Sequence, residues 1–370
     1  MTMATKQYNY CLDFIKGIAC VCVVLMHCEF PGIIGTVVQT ISRFCVPFFF
    51  MVSGYYATNL SKLNEGGFLS QIFNRKVLHI AKIAFWATVF YFTFAIIQQV
   101  IWNDLSLSVS KTELLLFLFF NEPFIIAGQL WFLFALLYDY ILVTILDKLQ
   151  LQKTGLMFGF VLLVLFYFLG QGIHIIGGGI PVPDFVINDF GGNVPHIEEG
   201  RIPIPNFLYR NFLFEGFAFF MLGRFLRDNK SKLRFRNSTL ITIIVISSVL
   251  CIVERQLMGR DFGVNICSLP QVVALFIFGI NNPERCAGVI QKLGKNCSML
   301  IYILHPFVWH SMERVYDRIG VADNLEALYI LPVLVVLFTI ALSLLYNWVT
   351  HSIVNNQTSL NDRTNNSINR

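Results

Sequence analysis

Long apolar runs separated by short polar segments make up almost the whole chain. The segment 113–127 is also apolar, but it contains Asn121, Glu122 and Pro123, and we expect it to be interfacial or re-entrant. Ten other runs are each close to the roughly 17–25 residues that an α-helix needs to cross a bilayer. This pattern predicts an all-α fold, a polytopic membrane bundle of about ten transmembrane helices. The runs are 11–29, 33–56, 83–102, 129–146, 155–176, 209–226, 238–253, 263–280, 297–313 and 327–350.

Two polar segments stand apart from these runs. Residues 177–207 are rich in Gly and Pro, which disfavours a helix or a central strand. Loops of this length are often lids or binding loops, although a plain connector is the alternative. Residues 355–370 are polar and rich in Asn, which predicts a disordered cytoplasmic tail. We therefore divide the chain into a membrane domain, 1–354, and this tail.

Composition and charge agree with a membrane protein. Hydrophobic residues make up 56% of the chain and charged residues 13%, whereas soluble proteins have about 45–50% and about 25%. With the N-terminus inside, seventeen Lys and Arg fall on the inner side and six on the outer side, as the positive-inside rule requires. We expect a multi-pass protein of the inner (cytoplasmic) membrane with both termini cytoplasmic. The net charge of +5 follows this topology and does not indicate nucleic acid.

The first apolar run carries three ionisable residues, Asp13, Lys16 and His27. Lys16 and His27 are separated by about 1100° of helical rotation, so they share one face of a helix, with Asp13 and Cys20 close to it. Ionisable residues inside a bilayer are costly and commonly functional. A neutral imidazole is a good general base for a hydroxyl, which makes His27 a candidate catalytic residue. The alternative is a core histidine that is hydrogen-bonded across helices.

The second run contains Arg43, just before Pro47. Its guanidinium can hold an oxyanion, a carboxylate or a carbonyl by charge-assisted hydrogen bonds, or it can snorkel to the outer interface. Ser53 and Tyr55 end the run, either within a binding site or at an ordinary helix end. Arg75, on the inner side, can bind the phosphates of a nucleotide-containing cofactor or serve as a basic anchor.

Later runs contribute four more candidates for substrate binding. Gln129 begins the fourth run, and Arg210 and Glu215 lie in the outer half of the sixth, below the long loop. An ion pair that only anchors the span is the alternative for these two charges. His305 precedes Pro306, which disfavours helix at the residue before it, so His305 marks a kink. We find no Walker loop, HExxH, GxSxG or Rossmann fingerprint, and no CxxC pair or His/Cys cluster that suggests a metal.

Five stretches together resemble the membrane acyltransferase-3 family over positions 8 to about 350. LDFIKGIACVCVVLMH (12–27) is similar to the family's Asp-x-x-Arg-Gly segment ending in His, and RFCVPFFFMVSGYY (43–56) to its Arg…Pro-x-Phe-Phe…Ser-Gly-Phe/Tyr segment. Lys16 stands where the family usually has Arg, and Gln129 where it often has His. The other stretches are QLWFLFALL (129–137), RNFLFEGFAFFMLG (210–223) and NCSMLIYILHPFV (296–308).

The resemblance implies an enzyme, an O-acyltransferase that moves an acyl group, usually acetyl. The donor would be acetyl-CoA or another acyl-CoA on the cytoplasmic side, without a metal, and the acceptor a hydroxyl of a cell-envelope glycan or lipid-linked sugar. His27 would act as the base and Arg43 would stabilise charge, although an acyl-enzyme on His27 is an alternative route.

A transporter or flippase for a sugar-linked or anionic solute is the alternative function. Ten spans with buried charges suit it, but the two halves of the chain show no internal repeat of the kind many transporters have. The expected surroundings are membrane lipid, and the sequence leaves the oligomeric state open, with a homo-oligomer as one option.

Overall fold

The computed structural model describes residues 8–58, 74–102, 111–121, 128–173, 175, 206–259 and 263–368. Nearly all of the predicted loop 177–207 lies outside these residues. All regular secondary structure in the described part is helical. In chain order its α-helices are α1 (Tyr10–His27), α2 (Gly32–Ile41), α3 (Cys45–Tyr56), α4 (Arg75–Trp102), α5 (Lys111–Phe120), α6 (Trp131–Lys148), α7 (Gln152–Tyr167), α8 (Ala218–Asp228), α9 (Asn237–Met258), α10 (Ser268–Asn281), α11 (Val289–Asn296), α12 (Ser298–Ile319) and α13 (Leu325–Ile368).

The hydropathy of these helices is that of a membrane protein. Seven helical segments of the described chain are long and apolar enough to span a bilayer, and α10 is a shorter apolar helix. The all-α class is confirmed, whereas the number of about ten spans stays a prediction. Helix α5 has ten residues, so it is about 15 Å long and too short to cross a core of about 30 Å. Helix α13 continues to Ile368, and the division into a membrane domain and a disordered tail stays a prediction.

Short turns of other helical types interrupt the predicted spans. A 3-10 turn, Ser42–Phe44, lies between α2 and α3. One π-helical turn, Phe168–Gly172, ends α7, and another, Phe212–Phe217, precedes α8. Turns of this kind are frequent at functional sites. Two of the candidate site residues, Arg43 and Glu215, stand on such turns.

The chain forms two compact units. The first combines both ends of the chain, Met1–Ser42 and Asn282–Arg370, and contains α1, α2, α11, α12 and α13. The second unit, Arg43–Asn281, contains the other helices. His27 therefore belongs to the first unit and Arg43 to the second.

In the first unit, the backbones of α1 and α11 touch at two glycines. A Cβ on Gly294 would overlap the carbonyl oxygen of Asp13, and a Cβ on Gly17 would overlap the carbonyl oxygen of Ile290. Small residues at such a crossing let two helices approach more closely than any side chain would allow. This contact fixes the first half of α1 against α11.

In the second unit, α3 and α8 approach each other in the same way. Gly54 of α3 lies against the carbonyl of Phe220, and Gly223 of α8 lies against the carbonyl of Met51. The core of this unit is rich in aromatic rings. The almost fully buried rings include Phe48, Phe50, Phe217, Phe219, Phe220, Phe276, Tyr91 and Tyr209.

Candidate active site

The second half of the polar stripe of α1, Cys20 and His27, contacts α12 within the first unit. The ring centroids of His27 and His305 are 5.2 Å apart, with the ring planes tilted by 35°. The Cys20 thiol lies 3.8 Å from the carbonyl oxygen of Ser298. His27 is the last residue of α1 and its side chain is exposed, whereas His305 is completely buried. An accessible imidazole therefore stands next to a buried one.

His305 is held in one orientation by its own helix. Its Nδ1 lies 3.1 Å from the carbonyl oxygen of Ile301, and because a carbonyl oxygen only accepts hydrogen bonds, Nδ1 carries a proton. Pro306 follows inside α12 and has no N–H, so the carbonyl of Tyr302 loses its helical donor. The buried Nε2 of His305 makes no hydrogen bond to the described residues. A nitrogen left in this state is rare in a protein interior and suits a substrate site.

Asp13 and Lys16 form an ion pair near the start of α1. Lys16 Nζ is 3.2 Å from Asp13 Oδ1, and the two side chains are 19% and 14% exposed. The Tyr8 hydroxyl also donates to Asp13. Along the helix axis, Lys16 is about 16 Å from His27, so these two side chains cannot act on the same atom.

A second polar cluster surrounds Glu215 in the second unit. Arg210 Nε is 3.5 Å from Glu215 Oε2, and the positive charge of Arg43 also acts on this carboxylate. The Arg210 guanidinium lies over the Trp131 ring, 5.6 Å from its centroid. Glu215 is only 3% exposed. Arg210 thus pairs with Glu215 while the charge of Arg43 acts on the same carboxylate, and guanidinium groups in such a cluster suit a ligand that carries an anion or a polarised carbonyl.

Two buried asparagines shape the turn that carries Glu215. The side chain of Asn211 accepts hydrogen bonds from the N–H groups of Leu213 and Phe214 and so caps the turn. Asn121 Oδ1 accepts a hydrogen bond of 2.7 Å from the Phe212 N–H. The start of this turn is therefore held both by Asn211, which directly precedes it, and by Asn121, which is remote in sequence.

The other predicted binding residues of the second unit lie in different surroundings. Gln129 is buried in the 3-10 turn before α6. Ser53 Oγ donates a 2.9 Å hydrogen bond to a carbonyl of its own helix, and the Tyr55 ring packs against Phe276 with centroids 5.6 Å apart. Arg75 is the first residue of α4 and is exposed. Of these four side chains, Arg75 is therefore the most accessible to a phosphate.

Two buried aspartates of α6 were missed by the sequence analysis. Asp147 Oδ1 accepts a 2.8 Å hydrogen bond from Arg224, and both side chains are almost buried. Asp139 is completely buried, and neither of its carboxylate oxygens has a hydrogen-bond partner in the described part of the chain. It packs beside Gly216 of the π-helical turn. The signal was present, because the rule on intramembrane charges that selected Arg43 applies equally to Asp139.

Comparison with known proteins identifies a family model that covers nearly the whole chain. A model described as an acyltransferase domain matches residues 9–350. The match includes both the imidazole pair and the cluster around Glu215. No curated protein and no solved structure matches the chain.

Proposed function

The chain belongs to the acyltransferase-3 family, and we propose on that basis that it transfers an acyl group, in the simplest case acetyl, to a hydroxyl. The proposed donor is acyl-CoA, and the proposed acceptor is a cell-envelope glycan or a lipid-linked sugar. The observation that carries this proposal is the pair of imidazoles, His27 and His305, with ring centroids 5.2 Å apart. One ring is accessible to a substrate, and the other is buried and fixed by its own helix.

In the proposed reaction, His27 is the general base. It takes the proton of the acceptor hydroxyl while the oxygen attacks the thioester carbonyl. The tetrahedral intermediate collapses, the C–S bond breaks, and His27 returns the proton to the CoA thiolate. The products are an ester and free CoA. His305 is a positioning residue, because its ring lies against that of His27 and its Nδ1–H is bound to the Ile301 carbonyl.

Arg43 is the proposed stabiliser of the oxyanion. A charge-assisted hydrogen bond to the developing negative charge is the kind of contact that lowers a barrier in acyl transfer. Glu215 and Arg210 are proposed to hold this guanidinium in place, because all three charges belong to one cluster. Arg210, with Gln129, is also a proposed contact for the incoming acceptor.

The donor is proposed to bind from the cytoplasmic side. Arg75, exposed at the start of α4, is the proposed contact for the CoA phosphates, since a guanidinium binds phosphate oxygens in a bidentate manner. Lys16 and Asp13 are proposed to lie along the path of the pantetheine arm. Ser53 and Tyr55 remain candidates for donor or acceptor binding.

The decisive experiment is a single substitution with a matched control. Purified full-length protein in lipid nanodiscs is given acetyl-CoA and a hydroxyl acceptor, and the release of CoA thiol is followed. We expect His27→Ala to lower the rate by about 100-fold or more, since general-base catalysis contributes about 10²–10⁴-fold. His310→Ala is the control, because His310 lies in the same unit and pairs with Glu313. A wild-type rate in a correctly folded His27→Ala protein would refute the proposal.

A second measurement identifies the acceptor. Envelope sugars from cells with and without the gene are compared for ester-linked acyl groups. We expect esters that are lost with the gene and restored by the wild-type chain, but not by His27→Ala. Identical ester content in all strains would contradict the proposed acceptor class while leaving CoA release in the nanodisc assay untouched.

A further inference from the structure

The first unit contains a groove that is separate from the polar stripe. Its volume is about 930 Å³, and it lies between α1, α11 and α13. Helix α1 contributes Gly17, Ile18, Val21 and Cys22 to its wall. By helical rotation these residues are centred about 170° from Lys16. The groove is thus on the opposite side of α1 from the imidazole pair.

One wall of the groove is apolar and long enough for part of an acyl chain. Ile340, Leu344 and Asn347 of α13 line it, and their spacing of four and three residues places them on one face of that helix. They cover a length of about 10 Å along the helix axis. The wall therefore changes from hydrocarbon to an amide as it approaches the end of the apolar stretch Leu325–Thr350.

The polar end of the groove is positively charged. Lys292 and Lys295, both exposed on α11, line it, and none of the described residues that line it is acidic. Lys295 Nζ also lies 4.6 Å from the centroid of the Tyr8 ring. A pair of ammonium groups beside an apolar wall is complementary to a molecule with an anionic head and a hydrocarbon tail.

We propose that this groove binds one anionic phospholipid, with an acyl chain along α13 and the phosphate between Lys292 and Lys295. Basic pockets between membrane helices on the cytoplasmic side are known to hold anionic head groups, and the volume is within the range of ligand sites. Acyl-CoA is a poorer occupant, because a thioester bound here would lie behind α1 and away from His27. The lipid would brace α1 and α11 where their backbones touch at Gly17 and Gly294.

Lipid binding to the purified full-length protein tests whether Lys292 and Lys295 bind the phosphate of the lipid. Native mass spectrometry measures the affinity for phosphatidylglycerol and for phosphatidylcholine with the same acyl chains. We expect Lys292→Gln combined with Lys295→Gln to weaken phosphatidylglycerol binding by about 30-fold, from the typical contribution of two lysines near a membrane surface, and to leave phosphatidylcholine binding unchanged. The control, Lys230→Gln combined with Lys232→Gln, removes two exposed charges from the second unit and should change neither.

A second pair of variants tests the apolar wall without touching the charges. Leu344→Trp fills the groove and should weaken the binding of both lipids, whereas Leu342→Trp, on the same helix but outside the groove, should not. Unchanged phosphatidylglycerol affinity in the lysine variant or in Leu344→Trp overturns the proposal. Displacement of bound phosphatidylglycerol by free CoA also overturns it, because the lysines would then serve the donor. These readouts do not depend on acyl transfer, so they separate this proposal from the proposed function.

Discussion

His305 can be tested separately from His27 because its two ring nitrogens have different surroundings. Its Nδ1–H is bound to the Ile301 carbonyl, and its Nε2 has no partner among the described residues. The Asn side chain can replace the contact of Nδ1 with the Ile301 carbonyl, but it has no group at the position of Nε2. We expect His305→Asn to fold normally and to lower kcat by about tenfold to 100-fold with an unchanged KM for acetyl-CoA, because a misplaced His27 ring stabilises the transition state less without changing donor binding. A rise in KM alone would contradict the positioning role, and His310→Asn is the control.

Replacement by Leu should change the thermal stability of the protein in opposite directions at the two aspartates of α6. Asp139 is buried without a hydrogen bond from the described residues, and such a group costs about 1–3 kcal/mol, so Asp139→Leu should raise the thermal midpoint. Asp147→Leu would leave Arg224 buried without its 2.8 Å partner and should destabilise by about 3–5 kcal/mol. Thermal unfolding in the same detergent measures both. A lower midpoint for Asp139→Leu would contradict this account of its environment.

Among the elements, the crossing of α1 and α11 depends on two glycines, Gly17 and Gly294, that have no side chain. Gly294→Ala places a methyl group on the carbonyl oxygen of Asp13, so the helices must separate. We expect a loss of about 1–3 kcal/mol in stability, as for other overpacked contacts, together with lower activity because α1 carries His27. Gly128→Ala is the control, since a Cβ there meets no atom of the described residues within 4 Å. Equal thermal midpoints for the two variants would show that α11 can move away from α1 without a loss of stability.

Hydropathy predicts where the helices lie but not where they change type. The apolar run 33–56 predicts one continuous span, yet a 3-10 turn, Ser42–Phe44, divides it at Arg43. The turn that carries Glu215 depends on hydrogen bonds that its backbone N–H groups donate to the side chains of Asn211 and Asn121. Asn121 is remote in the chain, and such tertiary contacts leave no periodic signal in the local sequence.

For the whole molecule, the topology is the prediction that remains open to direct test. Cys286 is exposed and lies on the side that the Lys and Arg bias makes cytoplasmic. In a variant with Cys286 as its only cysteine, a membrane-impermeant maleimide should label inside-out vesicles and not intact cells. A permeant maleimide should label both and is the control. Labelling in intact cells would show the opposite orientation, with the proposed donor site on the outer side of the membrane.

The sequence alone predicts which site residues share one helix, but not which helices bring their site residues together. The spacing within α1 predicts that Lys16 and His27 share a face, because one helix sets that geometry. The approach of His27 to His305 joins residues from opposite ends of the chain, and nothing local encodes it. Resemblance to a family indicated that both histidines matter, and only the fold brings their rings together.

The unit that carries both histidines is discontinuous, and this has a consequence for biogenesis. Residues 43–281 are synthesised between its two parts. At about 5–20 residues per second, α1 waits on the order of 15–60 s in the bilayer before the ribosome completes α12. During this interval the Cys20 and His27 side chains lack the helix that later packs against them. A nascent chain stalled before residue 282 should therefore bind an insertase or a quality-control protein. Crosslinking from α1 should detect this complex.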